Sequence, residues 1–186
     1  LLPPAQAATT PQFLYFEGDA VVDFASYTFA QGSILYFDEG VEITVPNGNG
    51  LEAFKSELHG CEKMWRGVTV ADGGFLSLKS CTVSGAQYAV QALHNSTLLI
   101  ANNSFQDNYI GIYKPNTMAA SPEQVNQPLP IAGNTFEGTA AGLLPPYPGQ
   151  VPAPGTSGLA GIVASNCNLL EVGIGSTPNS NYFREV

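Results

Sequence analysis

The sequence predicts an all-β fold, a parallel β-helix solenoid with coils of about 22 residues. Three observations point to it. A phrase recurs, as TLLIANNSFQDNYIGIY at 97–113 and IAGNTFEGTAAGLL at 131–144. Short runs alternate apolar and polar residues, as half-buried strands do. The composition is 44 % hydrophobic and only 11 % charged, with 20 Gly and 14 Pro in 186 residues, where charged residues usually make up about 25 %. Turns are therefore many, and Asn, Ser, Thr and Gln supply the polarity. That profile suits a β-rich extracellular domain.

The elements follow in order. FLYFEGDAVVDF (13–24) and SILYFDEGVEITV (33–45) alternate like strands. WRGVTVADGGFLSL (65–78) joins two strands through Asp72-Gly73-Gly74. Leu76, Leu78, Cys81, Val83, Tyr88 and Val90 then match Leu98, Ile100, Asn103, Phe105, Ile110 and Ile112, each pair 22 apart. Ile100, Asn103, Phe105, Gly111 and Ile112 match Ile131, Asn134, Phe136, Gly142 and Leu143, each pair 31 apart. The nine extra residues fall in TMAASPEQVNQPLP (117–130), which has three prolines, no apolar period, and reads as a loop. GLAGIVASNCNLLEVG (158–173) repeats the theme with Gly161-Ile162, after a second proline-rich insertion, LLPPYPGQVPAPGTS (143–157).

A leucine-rich repeat has a similar period but needs an L-x-x-L-x-L frame, which is absent. In a parallel β-helix, like positions stack about 4.8 Å apart. Phe105 and Phe136 are then expected to form a core ladder and Asn103 and Asn134 a ladder at a bend. Gly111 and Gly142 are expected at a second bend. Residues 1–12 are expected to be a signal remnant, with Ala5-Gln6-Ala7 as cleavage box, or a linker. Residues 13–186 are expected to form the β-helix domain. A further N-x-F step begins at Asn181-Tyr182-Phe183, so a longer solenoid is expected.

The stretch LHGCEKMWRGVTVADGGFLSLKSCTVSGAQYAV, running into TLLIANNSFQDNYIGIY, carries a family resemblance. Its marks are Cys61, Met64, Trp65, Gly67 and Val68, then Gly73-Gly74, then an N-x-F step with a downstream Gly-Ile. It resembles the single-stranded right-handed parallel β-helix (pectate-lyase-like) domains of secreted and cell-surface Bacteroidota proteins, cargo of type nine secretion. The resemblance implies fold and an extracellular place. It implies no particular activity, because the β-helix hosts lyases, hydrolases and adhesins.

Several chemistries can be weighed on residues. The formal charge of −9 repels phosphate backbones, which excludes nucleic acid as an expected partner. No apolar run approaches the roughly 20 residues of a membrane span. A pectate-type lyase needs clustered aspartates for Ca²⁺ and a cationic base. Asp19, Asp23, Asp38, Asp72 and Asp107 are dispersed in sequence, and the bases are limited to Lys55, Lys63, Arg66, Lys79, Lys114 and Arg184. Trp65 beside Arg66 suggests a sugar-stacking ring with a carboxylate-binding cation, or a core Trp with a solvated Arg. Asp38-Glu39-Gly40-Val41-Glu42 reads as a charged turn, or as oxygen ligands for Ca²⁺; no other cofactor is expected. Cys61 and Cys81, 20 apart, could stack as a disulfide or remain buried thiols. With His59 and His94 they do not match a zinc pattern. Tyr88, Tyr109, Tyr113 and Tyr147 are candidate glycan-binding residues, with Trp65 and Arg66, and no residue is singled out as catalytic.

The expectation is thus a secreted or surface-exposed module with a structural or adhesive role, presenting loops to polysaccharide or a surface protein. The alternatives are a polysaccharide-lyase-like enzyme with catalytic groups partly outside this chain, and a self-assembling filament subunit or secreted cargo. Three or more acidic or basic residues on one outer face of adjacent coils would favour the enzyme, and the linear sequence shows no such group.

Overall fold

The computed structural model describes residues 10–115, 123–124, 131–139, 142–145, 158, 160–165, 167–168 and 180–184. Among them there is no helix, and every strand pairing is parallel. The chain winds through short strands that recur in threes. β1 (Phe13–Phe16), β2 (Ala20–Val21) and β3 (Tyr27–Thr28) make one coil. β4 (Ile34–Phe37), β5 (Glu42–Val45) and β6 (Gly50–Phe54) make the next, followed by β7 (Glu57–Gly60), β8 (Trp65–Val70) and β9 (Phe75–Lys79). Then come β10 (Thr82–Ser84), β11 (Ala86–Ala92) and β12 (Thr97–Ala101), and β13 (Ser104–Gln106) and β14 (Ile110–Pro115). β15 (Glu123–Gln124), β16 (Ile131–Ala132), β17 (Thr135–Glu137), β18 (Ala160–Ser165), β19 (Cys167–Asn168) and β20 (Tyr182–Arg184) complete the described strands.

Each strand pairs with its counterpart one coil away. The first sheet runs β1-β4-β7-β10-β13-β17-β20, the second β18-β14-β11-β8-β5-β2, and the third β16-β12-β9-β6-β3. The architecture is a parallel β-solenoid. Leu14, Leu35, Leu58, Val83 and Phe105 lie in register in the first sheet, at steps of 21, 23, 25 and 22 residues. The later steps, Phe105 to Phe136 and Phe136 to Phe183, are 31 and 47. The period is thus a range around the expected value, because corners change length while strand levels do not.

Strand alternation decides what fills the middle. In the first sheet Phe37, Leu58, Val83, Phe105 and Phe136 point inward and are buried. Ile43, Val68, Val90 and Ile112 do so in the second sheet, and Leu51, Leu76, Leu98 and Ile131 in the third. Aromatic rings continue the stacking inside: Phe105 on Phe136 at 4.8 Å, and Phe136 on Phe183 at 5.1 Å, all nearly parallel.

The corner between the third and first sheets has its own grammar. Lys55, Ser80 and Asn102 take left-handed φ of 49°, 56° and 58° and make the turn. The next residue, Ser56, Cys81 or Asn103, is buried. Asn103 and Asn134 occupy this row. Asn134 Oδ1 accepts from Asn103 N–H (2.9 Å) and Asn103 Nδ2 (3.0 Å), while its Nδ2 donates to Ile100 O (2.9 Å) and Asn181 Oδ1 (3.0 Å). A buried amide can afford to stay in the core only because each of these polar atoms is matched.

Two expectations change. Gly111 does not stack on Gly142. β14 pairs with β18, which sets Gly111 beside Gly161 and Ile112 beside Ile162, while Gly142 turns the chain at φ 68° before the second insertion. The strand that continues the second sheet begins only after that insertion, so the linear match at 31 residues ended too early. The first insertion is also more than a loop, since β15 within it pairs with β19. Residues 117–122 and 125–130 of the first insertion, 146–157 of the second, with Tyr147, and residues 1–9 lie outside the described residues.

Candidate functional site

The outer face of the first sheet carries one continuous row of side chains. Tyr15, Tyr36, His59, Ser84, Gln106, Glu137 and Arg184 are in register along the axis, one per coil. They face out because their neighbours Leu35, Leu58, Val83, Phe105 and Phe136 face in. The row begins aromatic and ends polar. Tyr15 is 55 % and Tyr36 40 % exposed, and Phe13 beside them is 76 % exposed. The Tyr36 ring lies 5.8 Å from the His59 imidazole. Large exposed rings on one face of a solenoid are a surface that costs solubility unless something covers it. Sequence reading placed the aromatic candidates elsewhere, although FLYF and ILYF carried the signal: in each, an outward Tyr directly precedes an inward Phe.

At the end of those strands three turns stack into an acidic corner. Glu17, Asp38, Glu39 and Glu62, on adjacent coils, line an open cavity of about 570 Å³ with Tyr15 and Lys63. This is the grouping the linear sequence did not show, since coil steps of 21 and 23 residues separate its members. Tyr15 Oη donates to Asp38 Oδ1 at 2.7 Å. That bond, with burial and the charge of Asp38, pushes the Tyr15 phenol up to about 12. Lys63 pairs with Glu39, and Arg66 Nη1 bonds Glu42 Oε2 at 2.9 Å. Both cations are held above their ordinary values, first by those hydrogen bonds. The Asp38–Glu42 turn therefore sends its three carboxylates to three different partners. Among the described residues no group of three or more His, Cys, Asp or Glu is placed to hold a metal ion.

Trp65 is not a sugar platform. It is fully buried, stacked on Phe37 at 4.0 Å and 9°, and its Nε1–H donates to Ser84 O at 2.9 Å. Strand β8 turns Trp65 inward and Arg66 outward. Cys61 and Cys81 are not joined. Cys61 follows the end of β7, whereas Cys81 precedes β10 and sits at the level of Ser56. Five residues of strand, roughly 16 Å, separate those levels, well over the ~7 Å a disulfide spans. Burial pushes both thiols up, aided at Cys61 by Asp38, so both stay protonated near neutrality. The side chain of Cys167 lies outside the described residues.

The tyrosines of the second sheet do converge. Tyr88 and Tyr113 stack at 5.1 Å, and burial with the nearby Tyr113 and Tyr109 pushes the Tyr88 phenol up. Each is half-buried, whereas Tyr15 and Tyr36 of the first sheet are exposed. The buried Lys114 donates to Leu93 O at 3.2 Å and is out of reach as a surface base. One further grouping escaped the sequence. Glu57, His59 and Ser84 are linked through hydrogen bonds of 2.9 and 2.7 Å on the first sheet. Comparison with known proteins finds no matching family model, no matching curated protein and no matching solved structure.

Proposed function

We propose that this chain is a secreted or cell-surface module with a structural and adhesive role, and that it holds a neutral polysaccharide along the outer face of its first sheet. The observation that carries the reading is the row Tyr15–Tyr36–His59, in register and with both tyrosines exposed. Rings set coil upon coil offer apolar surface to successive sugars, while Ser84, Gln106 and Glu137 continue the row with hydrogen-bonding groups. The net charge of −9 and the acidic corner disfavour polyuronates and other polyanions. The likeness of residues 32 to 115, and more loosely of 131 to 183, to Bacteroidota cargo of type nine secretion supports the extracellular place.

The test is retention on immobilised neutral and acidic polysaccharides, for the parent chain and for Tyr15→Ala with Tyr36→Ala. Retention on a neutral polymer, weakened about tenfold in the double variant, is expected. Both rings are exposed, so the variant keeps its fold. No retention on any polymer, or retention untouched by the double variant, sinks the reading. The acidic corner favours one alternative, a polysaccharide-lyase-like enzyme. Its neighbouring cations, Lys63 and Arg66, are each engaged by a glutamate, which leaves that reading second. Release of unsaturated ends from a polyuronate would promote it.

A further inference from the structure

We propose that Glu57, His59 and Ser84 form a nucleophilic hydrolase site for acyl esters, with ester-bearing polysaccharide as substrate; only the choice of carrier rests on the binding reading above. Glu57 and His59 are two residues apart on β7, so both side chains leave the same face. Ser84 is opposite His59 in the next coil. His59 Nε2–H donates to Glu57 Oε2 at 2.9 Å, which fixes the tautomer and leaves Nδ1 as an acceptor for the Ser84 hydroxyl at 2.7 Å. Nucleophile, base and an orienting carboxylate are thus in series within bonding distance, the arrangement by which such sites are recognised whatever their order in the chain.

The surroundings hold the nucleophile and leave it accessible. Val83 anchors β10 in the core, and the Trp65 indole pins the Ser84 carbonyl from inside. Gly85, at φ 65°, turns the chain away directly after Ser84. The Tyr36 ring flanks the imidazole, and the His59 side chain is 24 % exposed. Gln106, in register with Ser84 one coil on, bonds Glu137 Oε1 through Nε2 at 3.1 Å. Its amide is the donor type an oxyanion needs, at the level of the nucleophile.

The reaction balances with water as the only co-reactant. Ser84 Oγ attacks the ester carbonyl carbon as its proton passes to His59 Nδ1. The carbonyl–alkoxy bond breaks, and the sugar hydroxyl leaves with that proton. Water then attacks the acyl-serine and gives a proton to His59, which passes it to Ser84 Oγ as the acyl–serine bond breaks and the carboxylic acid departs. Ser84 and His59 are the catalytic residues. Glu57 is a positioning residue that acts through His59.

The experiment uses the full chain with p-nitrophenyl acetate and, separately, an acetylated neutral polysaccharide and its deacetylated form. Turnover of the small ester, lost roughly 100-fold or more in Ser84→Ala, is expected, as is labelling of Ser84 by a fluorophosphonate, located by mass spectrometry. Glu57→Gln is expected to lower kcat with KM unchanged, which a merely structural pair would not do. Absence of both turnover and label overturns the proposal, as does turnover that survives Ser84→Ala. The label needs no variant, so misfolding of Ser84→Ala cannot imitate failure. Retention of polysaccharide with no ester cleavage overturns this site and leaves the binding reading standing. Ester cleavage with no retention supports this site and sinks the binding reading.

Discussion

At the scale of single residues, hydrogen bonds on this surface set protonation. Tyr15 stands at the rim of the acidic corner with its phenol donating to Asp38. Only the neutral phenol can make that bond. Its value in the folded chain, about 12, lies above the ordinary 10.0. The sign follows: the bond favours the folded state below pH 10 and is lost as pH rises through about 12. Tyrosine-selective carbon NMR should show one ring titrating near 12, absent in Tyr15→Phe and moved down towards 10 in Asp38→Asn. A Tyr15 midpoint unmoved by Asp38→Asn would refute this assignment. The buried Asn ladder follows the same logic where water is absent. Asn134 is tolerated because both its amide nitrogen and its oxygen are bonded, and removal of either leaves partners orphaned.

At the scale of elements, β8 and β11 show how a sheet of stacked coils absorbs an extra residue. Tyr88 opposes Gly67 and Val90 opposes Val68, so Ala89 bulges. Gly67 answers with φ 115°, and a Cβ there would lie 1.7 Å from Tyr88 O. Gly67→Ala should therefore cost about 3–4 kcal/mol, read from a urea midpoint. A loss under about 1 kcal/mol would show that the bulge can slide. Such irregularity also explains what the sequence made legible. Phe105, Phe136, Asn103 and Asn134 could be paired by eye because both members of each pair lie at the same place relative to one insertion. Gly142 could not, because its counterpart strand starts after a second insertion. His59 and Ser84 were hidden by three residues. A step of 22 from His59 lands on Cys81, but that coil takes 25. The acidic corner was hidden in the same way, its members separated by unequal steps. Strand levels are dictated by alternation, which a reader can see. Corner lengths are dictated by turn geometry and insertions, which set where outer side chains meet.

At the scale of the whole molecule, each main-sheet strand pairs only with those of the adjacent coils, so stability is close to a sum of coil and interface terms, with one longer tie where Met64 N–H donates to Pro145 O at 3.0 Å. Among the described strands of each sheet, those in the middle have two partners and the first and last have one. Hydrogen exchange should be slowest for amides of β7 to β12 and fastest for β1 to β3, β18 and β20. Uniform protection along the axis would show a single cooperative unit instead. The proposed binding row crosses this gradient, with its aromatic end on the outermost coils and His59 and Ser84 near the middle.

The direction of the backbone hydrogen bonds gives the solenoid an uneven response to force. In all three main sheets the strands cross the axis and their hydrogen bonds run along it. Compression or bending is shared by three walls and a packed interior at once. Tension along the axis instead meets the rungs in sequence, as a zipper does, and the outermost coil lets go first. Each released coil of 21 to 25 residues would add roughly 70–90 Å of extended chain. A molecule anchored at one end and gripping a polymer at the other would then behave as a strut when pushed and as a shock absorber when pulled.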